Sequence, residues 1–142
     1  MKTVLVTIAL SISSFFVLAQ SETKTSNKGI TITVTVPVKS AEGAILMGLY
    51  QKSGFMQTPI TRAVGEIKDG KAIVLLKNVA PGEYGITALH DKNNNKRMDY
   101  NSNGMPLEMY GVSNTAMSYG PPQWRDARFE VANTPIFMEI RL

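Results

Sequence analysis

The chain is predicted to be all-β, on three observations. Apolar residues alternate with polar ones over several short runs, turn dipeptides separate those runs, and no stretch keeps helical apolar spacing beyond a turn or two. The clearest run is 29–36, Gly-Ile-Thr-Ile-Thr-Val-Thr-Val, a half-buried strand that turns Ile30, Ile32, Val34 and Val36 to the core. Pro37, which cannot donate to a sheet ladder, suits its end or an edge. A second strand is expected over 44–50, after the turn signal Ser40-Ala41-Glu42-Gly43. Strands over 62–68 and 71–77 meet across Asp69-Gly70, a dipeptide that tolerates the positive φ angles of a tight hairpin. Ala80-Pro81-Gly82-Glu83 turns into a fifth strand, 84–90, which delivers the chain to Asp91. Two last strands, 127–131 and 136–142, are separated by Ala132-Asn133-Thr134-Pro135. About seven short strands without a helix imply an antiparallel sandwich of immunoglobulin-like or transthyretin-like type.

The organisation is read as a signal peptide over 1–19, a flexible leader over 20–28 and one β-domain over 29–142. Lys2 supplies a positive n-region, 3–10 and 15–18 an apolar stretch, and Val17-Leu18-Ala19 a small-residue cleavage site. Ser11, Ser13 and Ser14 interrupt the apolar run, which is shorter than the roughly 20 residues of a spanning helix. Cleavage after Ala19 would leave 123 of the 142 residues, a usual size for one domain, in the periplasm or outside the cell. No later segment is apolar enough to span a bilayer, and no cysteine follows the cleavage site to carry a lipid. The leader, Ser21 to Lys28, is polar and without periodicity.

Composition excludes several chemistries. With no Cys and one His, the chain has no disulfide, no cysteine nucleophile and no multi-His or Cys zinc site of its own. Its stability must come from packing and, by expectation, from a bound ion. The formal charge of +4 drops to +3 with Lys2 removed, and Lys96-Arg97 is the one basic pair of note, so nucleic acid is not an expected partner.

The segment 91–126 is long for a connection in so small a domain, and such loops are usually functional or disordered. Its content of Met, Tyr, Leu and Trp argues for a loop packed as an ordered excursion. Its first part, 91–103, places oxygen-bearing side chains at alternate positions, as a wrapped hard cation requires. Set on the twelve-residue calcium-loop pattern, Asp91, Asn93, Asn95 and Asp99 take the first, third, fifth and ninth positions, with the Arg97 carbonyl seventh. Lys96 replaces the glycine favoured at the sixth position, and Ser102 the glutamate at the twelfth, so Asn101, Asn103 or Glu108 must complete the shell. A weak Ca2+ site is expected. The alternative is an asparagine-rich turn closed by side-chain to backbone hydrogen bonds. On the calcium reading, Asp91→Ala lowers stability in calcium but not in chelator.

These residues resemble a known family. Ala88 to Asn95, then Gly104 to Asn114, then Gly120-Pro121-Pro122 and Asp126-Ala127-Arg128-Phe129, are similar to the uncharacterised exported bacterial family designated domain of unknown function 2141. The resemblance spans the mature chain and implies an exported β-sandwich with no established activity. The Pro-Gly-Glu-Tyr turn, followed by a strand ending in Asp, also resembles surface β-sandwich modules that carry calcium in such loops.

Other readings compete. Tyr100, Tyr110, Tyr119 and Trp124, with Tyr110, Tyr119 and Trp124 as the ligand residues, suit a module that stacks on a sugar or grips a peptide. His90 with Met98, Met105, Met109 and Met117 carries the donors Cu(I) prefers, though flexible methionines also fill gaps. A small hydrolase would need His90 to pair with Ser113 or Ser118, or Asp91 with Asp99 or Glu108 to act as a carboxylate pair. The expected function is a non-enzymatic binding or structural module of the cell envelope, with an envelope partner or small ligand.

Overall fold

Strand β1, Ile30–Pro37, buries Ile32, Val34 and Val36 and half-buries Ile30, as the threonine alternation requires. The computed structural model to which it belongs describes residues 29–114 and 120–142. The expected signal peptide and leader, and Met117, Ser118 and Tyr119, lie outside the described residues. Strand β2 covers Ala44–Tyr50, β3 Thr61–Lys68, β4 Lys71–Val79 and β5 Gly82–Asp91. β3 and β4 join through Asp69 (φ 52°) and Gly70 (φ 75°), the two positive angles that the dipeptide predicts. In β4 the apolar run alternates cleanly, with Ala72, Val74 and Leu76 inside and Ile73 and Leu75 outside.

With β6 (Tyr110–Val112), β7 (Phe129–Val131) and β8 (Ile136–Glu139), the strands form one mixed, curled half-barrel sheet in the order β6-β5-β2-β3-β4-β1-β8, and β7 also pairs with β5. The sandwich expectation is thus corrected in part. The all-β character and mostly antiparallel pairing hold, but one sheet curls around the core rather than two clearly separate sheets facing each other. The last strand, β8 (Ile136–Glu139), lies parallel to β1, with Ile32 opposite Ile136 and Thr35 opposite Glu139. β8 is shorter than the 136–142 predicted, yet Ile140 beyond it is fully buried and its N–H donates to the Thr35 carbonyl at 3.0 Å.

The segment 91–126 is not a continuous loop. It contains a three-residue strand, β6 (Tyr110–Val112), and the start of a one-turn helix, α1 (Trp124–Ala127). β7 is consequently Phe129–Val131 instead of 127–131. β6 and β7 pair with successive stretches of β5, Thr87 to Leu89 and Gly82 to Tyr84. Between them, the buried Ser113 hydroxyl accepts the Ile86 N–H at 2.9 Å and donates to the Ala127 carbonyl.

The curl brings the two ends of the sheet together. A Cβ on Gly111 of β6 would stand 2.1 Å from the Arg141 carbonyl oxygen, so only glycine permits this approach. The core inside comprises Ile32, Val34, Val36, Ile45, Leu49, Leu76 and Ile86, with Val131 and Ile140 closing it.

Candidate functional site

The candidate segment, 91–103, hangs from the end of β5, where Asp91 still pairs with Ala44 of β2. Its side chain is 1% exposed and folds the following turn upon itself: Oδ1 accepts the Asn95 N–H at 3.1 Å and Oδ2 the Lys96 N–H at 2.8 Å. Asn93 Oδ1 also accepts from Asn95 N–H, and Asn95 Oδ1 accepts from Arg97 N–H at 3.0 Å. Reversing the chain this tightly requires positive φ at Asn94 (57°) and Lys96 (65°). Lys96 therefore adopts the conformation for which the sixth position of a calcium loop favours glycine. A left-handed lysine costs about 1–2 kcal/mol relative to the right-handed form. Lys96→Gly is accordingly expected to raise stability, by up to about 1 kcal/mol after the added freedom of the unfolded chain is deducted, as read by chemical denaturation.

Asp99 meets this turn from the other side. Its carboxylate accepts from Asn93 Nδ2 at 2.6 Å and from Asn95 Nδ2 at 2.8 and 2.9 Å, with Arg97 Nε 3.7 Å away. Asn93, Asn95 and Asp99 thus converge, as their spacing predicts. Glu108 is buried and spans the base of the loop, Oε1 accepting from Lys92 N–H at 2.9 Å and Oε2 from Asp99 N–H at 3.3 Å. It clasps the loop rather than filling the twelfth position. Among the described residues no three His, Cys, Asp or Glu side chains form a joint metal-holding group, so any cation site here must draw on asparagine and carbonyl oxygens.

Beyond Asp99 the chain makes a small arm. Tyr100 bridges to Pro106, Leu107 N–H returns to the Asp99 carbonyl at 2.9 Å, and Asn101 Oδ1 accepts from Asn103 and Met105 N–H. Residues of the arm, Tyr100, Met105 and Pro106, line an apolar groove of ≈ 390 Å³ together with Met98, Tyr110, Pro121 and Pro122. The aromatic reading of the sequence named both Tyr100 and Tyr110, which line this groove together, but not Met98, Met105 or the two prolines.

The other predicted site residues are dispersed. Trp124 is half-buried and stacks edge-on against Phe55, which stacks in turn on Tyr50, at centroid distances of 5.5 and 5.7 Å. It does not line the groove around Tyr110. His90 is buried with Nε2 2.8 Å from the Glu42 carbonyl, and with Met109 it lines a separate cavity of ≈ 130 Å³. The copper donors are therefore divided, because Met98 and Met105 belong to the groove. Ser113 bonds at Ile86, four residues from His90 along β5, a separation of roughly 13 Å at the usual strand rise. Among the described residues, the serine and the imidazole are not brought together.

Fold and site together describe a small all-β domain with an oxygen-rich, aspartate-anchored loop at one end of the sheet. The chain belongs to a bacterial family, the uncharacterised proteins conserved in bacteria designated DUF2141, whose pattern matches residues 19–137. No curated protein matches the chain. No solved structure matches it either.

Proposed function

We propose that the protein is an exported, non-enzymatic binding or structural module of the bacterial cell envelope whose 91–103 loop holds Ca2+ with low affinity. The family pattern begins at residue 19, beside the expected signal cleavage point, which favours export. The observation that carries the calcium reading is the meeting of Asp99 with Asn93 and Asn95 inside a turn folded by Asp91, with Lys96 held in a glycine-like conformation. Rotating the two terminal amides by half a turn presents Oδ1 atoms where Nδ2 atoms now face Asp99. The Asp99 carboxylate, these two oxygens and the Arg97 carbonyl would then surround a hard cation. Arg97 competes for Asp99, Asn93 must release the Asn95 N–H and Asn95 the Arg97 N–H, so the affinity belongs with the weak extracellular modules at about 10⁻⁴–10⁻³ M.

Thermal unfolding in chelator and in millimolar calcium, magnesium or copper tests the proposal. At ten times the dissociation constant, calcium contributes about 1.4 kcal/mol, which raises the midpoint by roughly 5 °C. A calcium-selective rise that Asp99→Asn abolishes is expected. No shift with calcium would leave the loop as a hydrogen-bonded turn and give precedence to a second reading, an organic ligand or peptide in the Tyr100–Tyr110 groove.

A further inference from the structure

We propose that β3 is a self-association edge, joining two copies of this chain in an antiparallel, two-fold symmetric sheet. On one side β3 pairs with β2 along Thr61 to Glu66, without a bulge. On the other side it meets β4 at Ile67 and Lys68 alone, because the two strands diverge after the hairpin and leave a cleft of ≈ 490 Å³. Among the described residues, nothing pairs with the second edge between Thr61 and Glu66. Folded proteins ordinarily shield such edges with proline, a bulge, a short strand or charges; this six-residue stretch has no proline or bulge, and its two charges, Arg62 and Glu66, are of opposite sign.

The outward-facing residues show what covers it. Arg62, Val64 and Glu66 occupy alternate positions on the exposed face, and Val64 is 65% exposed. When this segment is laid antiparallel on itself with Val64 opposite Val64, Arg62 stands opposite Glu66 of the second copy and Glu66 opposite its Arg62. The pattern is self-complementary, as an isologous interface requires. Each copy contributes one half of two symmetric charge pairs around an apolar centre, the cross-strand combinations that stabilise antiparallel ladders. The shared ladder is confined to residues 62–66, because β4 already occupies the same edge at Ile67 and Lys68. The opposite face is turned to the core, where Gly65 packs against Val74 and Ala72 of its own chain. Glu66 is held 3.0 Å from Lys68 of its own strand by an exposed ion pair, a weak competitor for Arg62. The interface is independent of the calcium loop.

Sedimentation velocity on the purified protein across about 1–100 µM tests the proposal. The native chain is expected to dimerise within this range. Arg62→Glu and Glu66→Arg should each weaken the dimer at least tenfold, because each places like charges opposite one another twice, while the double variant Arg62→Glu/Glu66→Arg restores it. Val64→Lys, which sets two cations face to face, is a second disruptive variant. All three positions changed are exposed, and unchanged thermal midpoints of the monomers certify their folding. A native chain that stays monomeric throughout, or a double variant no tighter than the singles, would overturn the proposal.

Discussion

Asp91→Ala should destabilise the protein in chelator as well as in calcium. The sequence pattern alone suggests a purely metal-linked effect, but the carboxylate is buried and takes the N–H groups of both Asn95 and Lys96. Removing it leaves the Asn95 N–H to Asn93 Oδ1 alone and strands the N–H of the left-handed Lys96, which loses the bond that holds it. Bonds to a charged partner contribute about 1.5–3 kcal/mol each, so a loss of about 3 kcal/mol in chelator is expected. Calcium should enlarge the loss by the ion's own contribution, since the shell depends on the turn being formed. Paired denaturation curves with and without the ion separate the two parts. A variant as stable as the native chain in chelator would show that the turn forms without the carboxylate.

Gly43→Ala is expected to be at least as damaging, although position 43 is remote in sequence from the loop. Gly43 has φ +74°, and an added Cβ would stand 2.0 Å from the Asp91 carbonyl oxygen and 2.6 Å from Lys92 Cα. Neither neighbour is a flexible side-chain tip, so the backbone itself must move. Left-handed strain and overpacking together imply a cost of about 3 kcal/mol or more. The same displacement would pull Glu42 from His90, whose Nε2 lies 2.8 Å from the Glu42 carbonyl, and would loosen the start of the 91–103 turn. A lowered unfolding midpoint combined with a lost calcium response is the expected pair of results. An alanine variant with the native midpoint would mean that the 40–43 turn can leave Asp91 without cost.

Much of the sheet was legible because its cues are local. The Thr alternation in β1, the run 44–50 and the Asp69-Gly70 hairpin each specify a strand within a few residues, and each is found. β6 was not legible: it has three residues with Gly111 at its centre, and it exists because β5 offers an edge and Arg141 lies against that glycine. The parallel pairing of β1 with β8 joins residues a hundred positions apart, beyond the reach of periodicity. At the site, the one-in-two spacing of Asn93, Asn95 and Asp99 anticipated their convergence. The clasp formed by Glu108 and the division of His90 from Met98 and Met105 depend on how the arm 99–107 folds back, which no short motif encodes.

The first strand lies beside the last, and this ordering governs when the protein can fold. A chain that emerges amino end first exposes β1 while its neighbour β8 and the buried Ile140 are still unavailable. Half of β1's hydrogen-bonding edge has no partner until the final residues appear, so the nascent chain lacks a closed core for nearly its whole passage. Such long-range pairing slows folding. Placing the closing strand, Ile136–Glu139, so far along the chain from its partner is a timing device written into topology, because the core closes only when that strand arrives.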